Sequence, residues 1–142
     1  MARIMALDIG RKRTGIAVTD SLKIIANGLT TVPTHTITAY LSEYFSKENV
    51  ELLVVGMPHQ LNNLPSEAVR YIKPVVSKIK KQFPDLNIEF VDERFTSKMA
   101  HDTMLAGGLK KTDRQNKALV DTISATIILQ SYMESISFKN KF

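Results

Sequence analysis

Residues 3–19, RIMALDIGRKRTGIAVT, hold two apolar runs separated by a short basic stretch that begins with a glycine. Arg3 to Asp8 reads as a nearly continuous apolar strand, and Thr14 to Thr19 as its β-rich hairpin partner across the turn Ile9 to Arg13. The pair predicts the antiparallel start of a sheet. A third strand is expected near Leu29 to Val32, ended by Pro33.

Beyond it the period changes. Ile37, Tyr40, Leu41, Tyr44 and Phe45 recur at helical spacing and predict a helix over Ile37 to Lys47, with Thr34, Thr36 or Thr38 as N-cap. Glu51 to Val55 is a β-branched run that fits a buried parallel strand, and Met57 to Leu64 reads as a polar loop. Ser66 to Phe83 places Val69, Ile72, Val75, Val76, Ile79 and Phe83 on one helical face, while Pro74 predicts a kink or a break there. Asn87 to Val91 reads as another strand. Thr96 or Ser97 can cap a helix to about Leu105, ended by Gly107 and Gly108. Lys117 to Ile136 reads as a long helix with Ala118, Val120, Ile123, Ile127, Ile128 and Met133 available to the core. This order predicts an α/β fold: a mixed β-sheet, antiparallel in its first strands and then built of parallel βα units, with helices on both faces.

The 142 residues leave room for one domain, 1–142, and so for one site. With 44% apolar and 23% charged residues the chain matches a globular protein. It contains no cysteine, which excludes disulfides and thiolate-zinc sites and fits a reducing, cytoplasmic compartment. His35, His59 and His101 lie far apart and form no helical pair, so any metal here needs oxygen ligands. The start, MARIMALDIG, is broken by Asp8 before a signal-peptide core can form, and no stretch approaches the roughly 20 apolar residues that span a bilayer. A net charge of +5 favours a polyanionic partner, and Lys110, Lys111, Arg114 and Lys117 gather around one loop.

Against this basic background three acidic residues stand out. Asp8 ends an otherwise apolar strand, at the rim of the sheet; a competing reading has it bond the backbone of the following turn. Glu93 follows the Asn87 to Val91 strand and emerges at the same edge if that strand runs parallel to the first. Its alternative is an ordinary surface pairing among Asp92, Glu93 and Arg94. Asp121 shares a helix face with Ala118, Ser124, Ala125 and Ile128, where an unpaired charge is costly; the competing account is a salt bridge to Arg13 or Arg94. If the three converge, they repel one another unless a hard divalent cation sits between them. Two such ions about 4 Å apart can cleave a phosphodiester with little help from other side chains. Arg11, Lys12 and Arg13, between Gly10 and Gly15, offer a tight turn with cations for a phosphate, and His59, Gln60 and Asn62 form a second polar loop at a strand end.

The blocks ALDIGRKRTGIAVTD, VVGMP, VDERFTS and KALVDTISATIILQSY resemble, in order and spacing, those of the YqgF family, over almost the whole chain. The resemblance implies a ribonuclease H-like fold and a cytoplasmic nuclease that matures the 5′ end of precursor 16S ribosomal RNA, with ribosomal particles as its setting. It also implies Asp8, Glu93 and Asp121 as catalytic and metal-holding residues, with Mg²⁺ or Mn²⁺ as cofactor. Arg11, Arg13, His59, Asn62, Arg94, Lys110, Lys111 and Arg114 are the expected nucleic-acid contacts. In HQLNNLPSE, Asn63 stands about where the family has a glycine, and Asn tolerates the left-handed backbone such a turn uses.

Three rivals stay open. The first is a Holliday junction resolvase acting on branched DNA, which needs a homodimer rather than a monomer to present two sites. The second is a non-catalytic nucleic-acid-binding module. The third is a nucleotide-binding relative of sugar kinases and actin, which the length disfavours because those proteins need two such domains.

Overall fold

The computed structural model of the chain describes residues 2–23, 25–57, 67–92 and 117–140. Five strands form one sheet: β1 (Arg3–Ile9), β2 (Arg13–Thr19), β3 (Ala26–Pro33), β4 (Val50–Met57) and β5 (Asn87–Asp92), in the spatial order β3-β2-β1-β4-β5. β1 and β2 pair antiparallel, as do β2 and β3, whereas β1, β4 and β5 run parallel. Parallel neighbours need crossovers, which α1 (Ile37–Lys47) and α2 (Glu67–Gln82) supply; α3 (Lys117–Asn140) follows β5 in the chain.

β1 sits at the centre, and its alternation divides the core between the two faces. Met5, Leu7 and Ile9 join Ile16, Val18, Leu53 and Val55 beneath Ile37 and Leu41 of α1 and Ile72 and Ile79 of α2. Ile4 and Ala6 join Ala17 and Val54 beneath Ala125, Ile128 and Leu129 of α3. Each fully buried aliphatic side chain contributes about 1.5–3 kcal/mol. Small Ala6, Ala17 and Ala125 let α3 lie close to the sheet. Phe45 of α1 meets Phe83, just after α2, edge to face with centroids 4.9 Å apart.

The expected mixed sheet with helices on both faces is therefore present. Four details differ. β3 is longer than expected, a full edge partner of β2 with a bulge opposite Ile16 and Ala17; its first residues, Asn27 and Gly28, have low strand propensity, so the ladder rather than composition holds them. α2 runs through Pro74 without a break: the ring costs the bond to the Arg70 carbonyl, and the buried Ile72 and Ile79 keep the helix on the sheet from either side of it. None of the threonines caps α1 by its side chain. Thr36 occupies the N-cap position but donates to the Pro33 carbonyl at 2.7 Å, and Thr34 opens a 3₁₀ turn. In α3, Ile127, Ile128, Ala125 and Leu129 are buried, whereas Val120 and Ile123 are partly exposed. The helix expected from Thr96 or Ser97 to Leu105 and the polar loop after Met57 lie outside the described residues.

Candidate metal and nucleic-acid site

The carboxyl ends of β1, β4 and β5 share one edge of the sheet, and Asp8 lies at that edge. Asp8 is the last but one residue of β1, half-buried, and the alternation that turns Ile4 and Ala6 toward α3 turns Asp8 the same way. Its cross-strand partner is Gly15. Gly15 has no side chain to spare: a Cβ there would fall on the carbonyl oxygen of Asp121. The α3 backbone therefore touches β2 directly opposite Asp8, which brings Asp8 and Asp121 to the same face of the same edge. Gly15 lies inside β2 rather than in a phosphate-cradling turn, and the backbone it admits is that of α3. An isolated glycine within a strand signals such an approach, so the sequence does carry this cue.

Around this contact the structure supplies specific supports. The β1–β2 turn closes with the Gly10 amide donating to the Arg13 carbonyl at 2.8 Å. Thr34 holds the turn from below. Its hydroxyl donates to the Gly10 carbonyl at 2.7 Å and lies 2.9 Å from the Thr14 hydroxyl, and its amide donates to the Lys12 carbonyl at 2.9 Å. On the α3 side, Thr31 of β3 and Thr122 share a hydroxyl hydrogen bond of 2.7 Å. The sequence offers Thr34 only as a helix cap and does not mark Thr31 or Thr122, because the partners of all three are distant in the chain.

Arg13 donates from Nε to Oδ2 of Asp121 at 3.0 Å, which is the salt bridge the sequence offers as an alternative role for Asp121. The two side chains are 39% and 25% exposed, and a pair this open to solvent contributes only about 0.2–1 kcal/mol. Arg11 goes elsewhere: its guanidinium lies over the Tyr71 ring of α2, 5.6 Å from the centroid. β5 ends at Asp92, one residue before Glu93. Glu93, Arg94, His59, Asn62, Lys110, Lys111 and Arg114 lie outside the described residues. Among the described residues no three His, Asp or Glu side chains form a ready metal cage. The carboxylates of Asp8 and Asp121 are oxygen donors, the ligand chemistry that suits Mg²⁺, an ion commonly held by one or two carboxylates with water and phosphate completing its shell.

A cavity of about 640 Å³ opens at the opposite edge of the sheet, lined by Ile4, Glu51, Lys80, Glu89 and Tyr132 among others. Burial, and then a hydrogen bond to Glu89, push the Tyr132 phenol up to about 12. This cavity is remote from the acidic pair and plays no part in its geometry. No described helix is long and apolar enough to cross a membrane.

Comparison with known proteins bears on the family and the fold. The model of the RuvX family, described as Holliday junction resolvase, matches residues 2–135. A protein of Bacteroides thetaiotaomicron, provisionally named pre-16S rRNA nuclease, is 62% identical over 138 residues, 97% of this chain and 100% of that one. A Phocaeicola vulgatus protein with the same provisional name is 64% identical over 135 residues, 95% and 97% of the two chains. Among solved structures, Thermus thermophilus RuvC in complex with Holliday junction substrate superposes with a TM-score of 0.56 at 16% identity, covering 94% of this chain and 96% of that one. That likeness establishes a ribonuclease H-like fold. On the family match and these identities, the chain belongs to the RuvX/YqgF family.

Proposed function

We propose that this chain is a divalent-metal-dependent nuclease that hydrolyses phosphodiester bonds in precursor 16S ribosomal RNA at its 5′ end, with Asp8, Glu93 and Asp121 holding Mg²⁺ or Mn²⁺. The observation that carries the reading is the backbone contact of Asp121 with Gly15, the cross-strand partner of Asp8, at the sheet edge where β5 ends one residue before Glu93 in the sequence. Two carboxylates from distant parts of the chain, beside a guanidinium and under a net charge of +5, make a local acidic spot in a basic protein. Such a spot holds cations rather than RNA, while the surrounding basic groups attract the backbone. A bound ion supplies an activated water and neutralises the leaving oxygen. Asp8 and Asp121 would hold that ion, the Thr34-pinned turn carries Arg13 beside Asp121, and Arg11, His59, Asn62, Arg94, Lys110, Lys111 and Arg114 are the proposed further nucleic-acid contacts. The names of the relatives support precursor ribosomal RNA as substrate; ribosomal particles are the partner proposed with it.

A second reading, resolution of branched DNA by a homodimer, is favoured by the description of the matching family. One experiment separates them: a precursor ribosomal RNA fragment and a four-way DNA junction are each incubated with wild type, Asp8→Asn and Asp121→Asn, with and without Mn²⁺. RNA cleavage that requires Mn²⁺ and drops more than about a hundredfold in both variants is expected, since even groups that only orient metal ligands cost ten- to a hundredfold. Cutting of the junction alone selects the second reading. Binding of both substrates without cleavage of either would mean a non-catalytic module.

A further inference from the structure

The cations of the β1–β2 turn are sorted by the sheet. Arg11 goes over Tyr71 on the α2 side, whereas Arg13 goes to Asp121 on the α3 side. A carboxylate oxygen that accepts a guanidinium N–H has one coordination direction occupied, and a metal ion held at Oδ2, or by both oxygens of Asp121, must share or displace it. The Arg13 side chain is itself 39% exposed, so it has solvent to move into. From this geometry we propose that Arg13 holds the place of the cation on Asp121, and that when the ion binds, Arg13 passes to a phosphate group of the nucleic acid.

The inference rests on the metal-nuclease reading above and adds an exchange that couples the two ligands. A pair this exposed weakens ion binding only roughly two- to fivefold, so a divalent ion can displace it. A guanidinium, by contrast, offers a planar fork that fits phosphate well once it is released. By reciprocity, metal must strengthen phosphate binding by the factor with which phosphate strengthens metal binding. The pairing also keeps Asp121 compensated when no metal is bound, so the acidic site does not repel nucleic acid before the ion arrives.

The test follows the Arg13 Nε–H resonance in nitrogen-labelled protein, assigned by its loss in Arg13→Gln. Mg²⁺ is expected to move it, and inorganic phosphate added afterwards to move it a second time; phosphate without Mg²⁺ leaves it in place. Calorimetry is expected to show Arg13→Gln binding Mn²⁺ roughly two- to fivefold more tightly than wild type. A resonance that stays fixed while calorimetry shows bound Mg²⁺ overturns the exchange and leaves the metal site standing. Equal Mg²⁺ affinity in wild type and Asp121→Asn overturns the exchange and the metal reading together.

Discussion

Gly15 of β2 and Asp121 of α3 touch backbone to backbone, directly across the ladder from Asp8. The contact is the hinge of the site, because it sets how far one carboxylate stands from the other. Gly15→Ala places a methyl where the Asp121 carbonyl lies, and neither backbone can yield cheaply. Overpacking of this kind costs about 1–3 kcal/mol. We expect a lower denaturation midpoint together with weaker Mn²⁺ binding. Gly28→Ala serves as the comparison, since a Cβ there would lie 2.7 Å from the Thr122 Cγ2 methyl, a side-chain tip rather than backbone. Equal losses in the two variants would mean that helix seating in general, and not the Gly15 contact, governs the site.

The readable parts of this molecule are those that periodicity writes locally. The helix Ile37–Lys47 is recovered at both ends because its buried Ile37 and Leu41 recur at helical spacing. Asp8 and Asp121 are legible as anomalies, each a charge where an apolar residue belongs. The first half of β3 is not legible, because its outer face meets water and Asn27 and Gly28 signal a turn. The choice of Arg13 as the partner of Asp121 is likewise beyond composition: it depends on which face of the strand each cation takes. Thr34 is legible only as a possible helix cap, and its role in the turn is not, as its bond to Gly10 spans 24 residues.

Thr34 gives a second prediction. It is buried, and its hydroxyl joins the Gly10 carbonyl and the Thr14 hydroxyl. Thr34→Val keeps the shape and removes both bonds, leaving the half-buried Gly10 carbonyl and the buried Thr14 hydroxyl short of a partner. Such a loss costs about 1–3 kcal/mol. Hydrogen exchange is expected to quicken at the Gly10 and Thr34 amides before it changes in α2. Unchanged exchange at those amides would show that the turn is held by its own backbone closure instead.

Tyr132 predicts an alkaline limit to stability. Its phenol, raised from 10.0 to about 12 by burial and by Glu89, keeps a proton that the unfolded chain releases. The unfolded state thus binds fewer protons above pH 10, so stability is flat below that value and falls as pH rises toward 12. Tyr40 and Tyr44 shift in the same direction, with burial as the leading cause. Tyr132→Phe should flatten part of this fall without abolishing it, and at neutral pH should cost about 1 kcal/mol for the bond to Glu89. Unfolding midpoints across the alkaline range, with phenolate absorbance as the independent titration, check both points. An identical alkaline slope in the variant would show that Tyr132 ionises at its ordinary value.

Pro74 is the place where α2 works against its own backbone. The ring removes the amide that would donate to the Arg70 carbonyl, and Pro74 is exposed, so no core packing compensates at that position. A proline inside a helix costs about 3 kcal/mol, while its stiffening of the unfolded chain returns roughly 0.4–1 kcal/mol. Pro74→Ala is therefore expected to raise stability by about 1–3 kcal/mol, read as a higher urea midpoint with an unchanged slope. Because α2 packs on the face of the sheet opposite α3, Mn²⁺ affinity should stay the same. A midpoint that falls would mean that the ring's effect on the course of α2 is what aligns Ile72 and Ile79 with the sheet; a gain in stability with altered Mn²⁺ binding would mean that the two faces are mechanically coupled through β1.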